Sequence, residues 1–307
     1  MYLKAANIMI LLIFPFLFVG IINRTKSLWG GRKGPPILQS LFDVIKLFQK
    51  GEVISNTTSF VFQIAPVINF ASIICAGLFV PIVHQKSVLS FEGDFLLFSY
   101  ILATGKFFSI ISAMDTGSSF EDMGASREAL FSSLVEPAFF MMLGTLGIIA
   151  GGLSFSDIIS FSQQRGEYVL LISLLCVIIL FVMLLTEGCR VPVDDPNTHL
   201  ELTMIHEVMV LDNSGPGFAL IQYGAAMKML IIASVIINLI LPDTLFGVSF
   251  MSAFIAIMTL IAVLVGTLES LMARVRMTHV PKFILFMSSI SFILLSITVL
   301  FVYGRIR

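Results

Sequence analysis

The sequence predicts an all-α fold: a polytopic membrane protein with about eight transmembrane helices and one amphipathic helix on the cytoplasmic surface. Of its 307 residues, 57% are hydrophobic and 12% are charged, whereas soluble domains have about 45–50% apolar and about 25% charged residues. The mean hydropathy is +1.01. This composition excludes a soluble domain, which needs more charged surface, and a disordered chain, which needs the opposite balance. The formal net charge of −1 excludes a basic nucleic-acid binder.

Eight apolar runs are long enough to cross a hydrocarbon core of about 30 Å, which takes about 20 helical residues. The predicted spans are roughly 7–23, 60–83, 95–113, 128–151, 168–186, 217–240, 248–270 and 282–303. The first run follows Lys4 as in a signal peptide. Asn23 and Arg24 come directly after it without a cleavage site of small residues, so we expect it to remain as a helix. Residues 1–307 are therefore predicted to form one integral membrane domain.

Lys and Arg are unevenly distributed over the two sides of this arrangement. Eleven of them lie in one set of loops, counted with Lys282: 24–59, 114–127, 187–216 and 271–281. The opposite side contains five: Lys4, Lys86, Arg165, Arg305 and Arg307. By the positive-inside rule, we expect the first set of loops to be cytoplasmic and both termini to lie on the outer side of the membrane.

The first cytoplasmic loop contains an amphipathic segment at 38–50. Its apolar residues recur at helical spacing: Leu38, Leu41, Phe42, Ile45 and Phe48. Its polar residues lie on the opposite face: Asp43, Lys46, Gln49 and Lys50. This pattern predicts a helix that lies in the membrane interface.

Ionisable residues at membrane depth are costly, so each is a functional hypothesis. Glu128 and Glu136 are eight residues apart on one predicted helix, which places them within about 80° of each other on the helix surface. Lys106 and Lys228 lie about half-way along their spans, which favours pairing with carboxylates. Glu187 and Glu269 each end a span, where a carboxylate could also reach interfacial water. Glu128 could instead stabilise the first turn of its helix through the helix dipole.

The loop at 187–216 is the densest polar segment. It contains six acidic residues: Glu187, Asp194, Asp195, Glu201, Glu207 and Asp212. His199 and His206 lie among them, but they lack the i, i+4 spacing of helical metal sites, so we predict no metal site. Apolar residues are interleaved with the acids, which indicates a partly buried loop that could lead protons from a cytoplasmic docking surface into the membrane.

The sequence contains no motif for a redox centre or for catalysis. Cys75, Cys176 and Cys189 are scattered without a paired spacing, so they make no zinc site, iron–sulfur site or disulfide framework. No nucleophile–base pair or phosphate-binding glycine loop is apparent. Any redox cofactor is therefore expected in partner chains.

Three cytoplasmic segments carry a family resemblance. RKGPPILQSLFDVIKLFQKG at 32–51 resembles the R-x-G-P-x-x-x-Q-x-x-x-D-x-x-K-L signature of the complex I subunit 1 family, the membrane subunit that joins the redox and membrane arms of NADH:quinone oxidoreductase. MDTGSSFEDMGASREALFSSLVEP at 114–137 and ESLMARVRMTHVPK at 269–282 resemble its hydrogenase branch, the membrane subunit of formate hydrogenlyase and related energy-converting nickel–iron hydrogenases.

The resemblance implies a non-catalytic subunit that binds no cofactor itself and links electron transfer to proton or sodium movement. The family's carboxylate path maps here onto Glu128, Glu136, Glu187, Asp194, Glu201 and Glu207. Our own interpretation adds Asp212, Lys228 and Glu269. Implied partners are a hydrogenase-large-subunit-like chain and iron–sulfur subunits on the cytoplasmic face, antiporter-like membrane subunits and the lipid bilayer. The expected docking residues are Arg32, Gln39, Asp43, Lys46, Asp115, Arg127, Arg190 and Arg274.

Three alternatives remain open at this point. In the quinone-using branch of the family, a quinone cavity opens near the amphipathic helix, around Trp29 to Asp43. A stand-alone secondary transporter would use the same buried carboxylates for symport, but it would favour inverted repeats, which the sequence does not display. A passive anchor would tolerate charge-neutral substitutions of the carboxylates.

Overall fold

The computed structural model describes residues 2–82, 87–162, 167–195, 204–241 and 247–306. Over these ranges the chain is helical and contains no strand. Its α-helices are α1 (Tyr2–Trp29), α2 (Gln39–Phe48), α3 (Phe60–Phe79), α4 (Asp94–Asp115), α5 (Ser119–Ala150), α6 (Phe155–Ser162), α7 (Glu167–Glu187), α8 (Gly215–Ile240), α9 (Val248–Leu271) and α10 (Val280–Ile306). Short 3₁₀ turns at Glu207–Val210 and Met277–His279 precede α8 and α10.

Eight of the helices are long and apolar enough to cross a membrane: α1, α3, α4, α5, α7, α8, α9 and α10. The all-α class and the eight spans predicted from the apolar runs are therefore confirmed. The two remaining helices are short: α2 has 10 residues and α6 has 8. α6 was not predicted, and it lies in the connection between α5 and α7.

The predicted boundary of the fourth span was wrong. We predicted a loop at 114–127, but α5 begins at Ser119 and has 32 residues. Glu121 and Asp122 lie in its first turn, where negative charge stabilises the positive end of the helix dipole. Charged residues that the hydropathy pattern assigns to a loop are thus part of a helix that is longer than the hydrocarbon core requires.

α8 lies at the centre of the bundle. It contacts α1, α2, α3, α6, α7 and α9, and residues such as Leu230 and Ile237 are fully buried along its length. Because lipid is as apolar as leucine, close packing rather than exclusion of water stabilises such contacts inside a membrane. The central position of α8 brings Lys228 next to α7.

α2 packs across α1 and α8 at one end of the bundle, which confirms the predicted amphipathic helix. Val44 is buried in a cluster with Phe16 of α1 and Ala219 of α8, and the Ser40 hydroxyl donates a hydrogen bond to the carbonyl of Phe16 over 3.1 Å. A second apolar surface is exposed and consists of Leu38, Phe42, Ile45 and Phe48. An exposed apolar surface of this kind suits a helix in the membrane interface.

Asp115, a predicted docking residue, caps α3. Its Oδ2 accepts hydrogen bonds from the backbone N–H and the hydroxyl of Ser59, at 2.7 and 2.9 Å, and from the backbone N–H of Phe62 at 3.3 Å. Because it satisfies free N–H groups at the start of a helix, we expect Asp115→Ala to lower the free energy of unfolding by about 1–2 kcal/mol. Thermal unfolding of the purified protein in detergent would measure this.

The exposed Asp122 of α5 provides the matched control for this variant. Asp122→Ala removes the same charge from the same side of the bundle without removing a cap of α3. Equal unfolding temperatures for the two variants would contradict the capping role of Asp115.

Candidate functional site

Four charged side chains from four helices meet inside the bundle. Lys106 Nζ of α4 lies 2.5 Å from Glu187 Oε1 at the end of α7 and 3.4 Å from Glu128 Oε1 of α5. Lys228 Nζ of α8 lies 3.1 Å from Glu187 Oε2. The pairing that the sequence predicted for Lys106 and Lys228 is thus present. Each carboxylate lies beside at least one ammonium group, which is the arrangement that buried charges require.

The loops on the same side of the bundle extend this set of contacts. Nε2 of His206 lies 2.9 Å from Glu128 Oε2, and its Nδ1 lies 3.4 Å from Asp194 Oδ2. The guanidinium of Arg274 lies 2.9 Å from Asp194 Oδ1. We name the resulting series the ion-pair chain; it consists of Lys228, Glu187, Lys106, Glu128, His206, Asp194 and Arg274.

The ion-pair chain is shielded from solvent, and the sign of charge alternates along it. The exposed fraction of its side chains ranges from 1% for Asp194 to 21% for His206. Removing one partner of a buried ion pair leaves an uncompensated charge and typically costs about 3–5 kcal/mol. Such an arrangement can change its protonation or bind an ion only if its neighbours adjust, so events along it are coupled.

The pKa values at the loop end are shifted in opposite directions. Burial raises the pKa of Asp194, but the hydrogen bonds and charge of His206 and the charge of Arg274 outweigh it, and the pKa lies below its usual value. Burial lowers the pKa of His206, but the neighbouring Cys189, the charge of Glu128 and the hydrogen bond with Asp194 outweigh it and raise the pKa well above its usual value. The charged forms of both residues are therefore favoured at neutral pH.

A cavity of about 480 Å³ adjoins the ion-pair chain. Its walls include α1, α2, α3, α4 and α8, and its charged lining residues include Asp43, Lys106, Glu128, Glu187, Arg190, His206, Glu207 and Lys228. Phe16, Val19 and Val44 supply apolar wall. The ring of Tyr223 stacks on Phe16 with centroids 4.6 Å apart. The cavity has the size and the mixed lining that small-molecule sites have.

Glu136 lies beside the ion-pair chain, on the side away from the loops. It is half-buried and lines a cavity of about 40 Å³ together with Lys106, Glu187 and Lys228. A charge at this position can interact with both lysines through a low-dielectric region.

Other predicted path residues lie apart from the ion-pair chain. Glu269 is buried in a second cluster, where its carboxylate lies 2.8 Å from Lys26 Nζ and 3.3 Å from Arg190 Nη1. Glu207 is half-buried and lines the larger cavity. Asp212 is exposed on the loop before α8. Glu201 lies outside the residues that the structure describes.

The predicted docking residues divide into two groups. Arg32 and Lys46 are exposed, whereas the other six make contacts within the chain. Gln39 donates a 2.7 Å hydrogen bond to the Asp43 carboxylate. Arg127 donates a 2.7 Å hydrogen bond to the carbonyl of Met204, which holds the loop before α8 against α5. Asp115, Arg190 and Arg274 make the contacts described above.

The predicted path residues did not include three members of the ion-pair chain: Lys106, His206 and Arg274, the last of which was predicted as a docking residue. The position of Lys106 half-way along a span had predicted its pairing with a carboxylate. The signal that could have identified His206 is its position in an acidic loop with interleaved apolar residues. In such a loop an imidazole is expected to be partly buried among carboxylates. Among the described residues, no group of three or more His, Cys, Asp and Glu side chains has the geometry to hold a metal ion.

Comparisons with known proteins agree with the family resemblance in the sequence. A family model described as NADH dehydrogenase matches residues 3–301. The chain is 31% identical to hydrogenase-4 component C of Escherichia coli (strain K12) over 237 residues, which cover 77% of this chain and 74% of that protein. It is 28% identical to formate hydrogenlyase subunit 4 of the same organism over 275 residues, which cover 87% of this chain and 88% of that protein.

A solved structure has the same fold. It is a chain of the membrane-bound sulfane sulfur reductase, an archaeal respiratory membrane complex, and it superposes with a TM-score of 0.82. The match covers 96% of this chain and 98% of that chain at 20% sequence identity. This likeness establishes the arrangement of helices.

Proposed function

Because this chain belongs to the NADH dehydrogenase family and is a complex I-like, multi-pass membrane subunit, we propose that it couples electron transfer in a partner to ion movement along the ion-pair chain. The observation that carries this proposal is the continuity of the ion-pair chain, from Lys228 inside the bundle to Arg274 on a loop. Each successive pair of its charged groups is separated by 3.4 Å or less.

The chemistry of coupling follows from the alternation of charge. A change of charge in a partner at the loops alters the electrostatic potential at Asp194 and His206. In a region of low dielectric constant, that change acts over several ångströms. Glu128, Lys106 and Glu187 then exchange a proton or release an ion because their protonation depends on one another. Ion movement is thus driven through these contacts, without a cofactor in this chain.

The relatives indicate the kind of assembly. Two of the relatives are subunits of hydrogenase-4 and of formate hydrogenlyase. We therefore infer a hydrogenase-type assembly in the cell inner membrane. Its nickel–iron and iron–sulfur centres would lie in partner subunits on the cytoplasmic face, and antiporter-like subunits would lie beside this chain in the bilayer. Both termini would face the outer side, as the distribution of Lys and Arg predicts.

The cavity favours a second candidate function, binding of a quinone. Its volume of about 480 Å³ and its wall formed partly by α1 and α2 suit a flat ring with an apolar tail. Ser40 and Asp43, at the end of the range Trp29 to Asp43 where the quinone-using branch has its cavity, line it. A quinone would accept electrons from a partner there, while residues such as Asp43 would orient its polar atoms. Quinone-dependent electron transfer by the purified assembly would distinguish this candidate.

The experiment that tests coupling is Glu128→Gln in the intact assembly, reconstituted in proteoliposomes. Glu128 contacts both Lys106 and His206, so the variant interrupts the ion-pair chain between its part on the membrane helices and its part on the loops. We expect the ratio of ions moved per electron to fall about tenfold, the effect of about 1.4 kcal/mol, while partner electron transfer continues.

Asp122→Asn serves as the control, because Asp122 is exposed on the same helix. The control is expected to keep the wild-type ratio. A wild-type ratio in Glu128→Gln would refute the coupling proposal and would leave a passive anchor or the quinone-binding subunit as the function.

A further inference from the structure

His206 connects two parts of the ion-pair chain that belong to different structural elements. Lys228, Glu187, Lys106 and Glu128 are fixed on transmembrane helices, whereas Asp194 and Arg274 lie on loops. The imidazole contacts Glu128 with Nε2 and Asp194 with Nδ1, at 2.9 and 3.4 Å. Within the described part of the chain, these two contacts join the helical part to the loop part.

The backbone holds His206 in place whether or not the ring is protonated. The backbone N–H groups of Ile205 and His206 donate hydrogen bonds to Asp194 Oδ2 at 3.2 and 3.0 Å. Arg127 fixes the preceding Met204 through its carbonyl, at 2.7 Å. A change in the ring therefore changes its contacts without requiring the loop to move.

The chemistry of imidazole makes these contacts conditional. A neutral imidazole has one N–H donor and one acceptor nitrogen, whereas an imidazolium has two donors. Carboxylates are acceptors when ionised. Only the protonated ring can therefore donate to Glu128 and Asp194 at the same time; the neutral ring presents a lone pair to one of them.

The groups around His206 come from every element packed against it. α5 contributes Glu128, and behind it lies Lys106 of α4. The segment after α7 contributes Asp194 and Cys189, and the loop between α9 and α10 contributes Arg274 through its pair with Asp194. Burial raises the pKa of the Cys189 thiol, so this neighbour is neutral at pH 7. The charges in direct contact with the ring are thus the two carboxylates.

We propose that His206 is a proton-controlled connection in the ion-pair chain, closed when the imidazole is protonated and open when it is neutral. This inference rests on the proposed coupling function and adds its regulation. Since the pKa of His206 is raised above its usual value, the two contacts are complete below pH about 6.5 and are lost as the pH rises through the raised pKa. Coupling is expected to follow the same pH dependence.

The test compares His206→Gln with wild type in the intact assembly in proteoliposomes, over a series of pH values. We expect the wild-type ratio of ions moved per electron to decline on the alkaline side. The ratio for His206→Gln should be about tenfold lower than the wild-type ratio at acidic pH and should be independent of pH. His279→Gln is the matched control, because His279 is an exposed histidine on the loop between α9 and α10, and it should behave as wild type.

Two further measurements keep the inference testable if His206→Gln fails to assemble. His206→Lys keeps a permanent positive charge between the carboxylates, so we expect it to assemble and to keep its ratio at every pH, without the alkaline decline of the wild type. Nitrogen-15 NMR of histidine-labelled wild-type assembly should report a ring that remains protonated above pH 6.5. A neutral His206 at a pH where the wild type couples, or a wild-type pH profile in His206→Lys or His206→Gln, would overturn the inference.

The Glu128→Gln variant separates this inference from the proposed function. If Glu128→Gln lowers the ratio and His206→Gln does not, the coupling function stands and the role of His206 is wrong. If neither variant lowers the ratio, the coupling function itself fails.

Discussion

Glu187→Gln is expected to lower the free energy of unfolding by about 3–5 kcal/mol and to abolish ion movement. The Glu187 carboxylate lies 2.5 Å from Lys106 Nζ and 3.1 Å from Lys228 Nζ. Glutamine keeps the size of the side chain but removes the charge that two buried ammonium groups share. Thermal unfolding in detergent and ion movement per electron in proteoliposomes would measure the two effects.

A double variant separates the two effects. Glu187→Gln combined with Lys228→Met removes one carboxylate and one ammonium group, so Lys106 keeps its contact with Glu128 at 3.4 Å. We expect this variant to regain most of the stability and to remain unable to move ions. An unfolding temperature for Glu187→Gln within the error of wild type would show that Glu187 does not hold the two lysines. Ion movement restored in the double variant would place the path elsewhere.

Gly20→Ala is expected to disturb the packing of α2 against α1 and to lower the free energy of unfolding by about 2–3 kcal/mol. A Cβ atom at Gly20 of α1 would overlap the backbone carbonyl of Ile37, which lies two residues before the start of α2. A backbone atom cannot rotate away as a side chain can, so the segment leading into α2 must shift. Because α1 and α2 both form walls of the larger cavity, the shift would change that cavity as well.

Gly144→Ala provides the control for this prediction, since a Cβ atom at Gly144 of α5 would have no neighbour within 4 Å. Alanine is favoured over glycine in a helix by about 1 kcal/mol, so the control should be neutral or slightly stabilised. Thermal unfolding and limited proteolysis between Arg32 and Lys33 would compare the two. If the Gly20→Ala protein were as stable and as resistant to proteolysis as the control, the close approach of Gly20 to the Ile37 carbonyl would be excluded.

The sequence predicted the spans well because the length of an apolar run is a local property. It failed at the start of α5, because Glu121 and Asp122 suit both a loop and the first turn of a helix. The apolar residues of the segment at 38–50 predicted α2 correctly. That periodicity could not show that Val44 would pack on the bundle while Phe42 and Ile45 would be exposed, since both surfaces of the helix contain apolar residues.

The pairings within the site depended on distant contacts. Lys106 and Glu187 are 81 residues apart in the sequence and Glu128 and His206 are 78 apart, so no local spacing indicates that they meet. The cost of unpaired charge at membrane depth predicted that the lysines would find carboxylates, but it could not select which ones. The fold selects them, because α8 at the centre brings Lys228 to α7 and the loop before α8 turns back over α5.

The length of α5 has a consequence for the position of the site relative to the lipid. Its 32 residues extend over about 48 Å, whereas the bilayer including its headgroups is about 40–45 Å thick. The helix is therefore longer than the bilayer by about 3–8 Å. Its first turn carries Glu121 and Asp122, and because charged side chains are costly inside lipid, we expect this end of α5 to extend past the headgroups, within reach of a protein partner. In a thicker bilayer we expect the same end to lie at headgroup level and to be less accessible to such a partner.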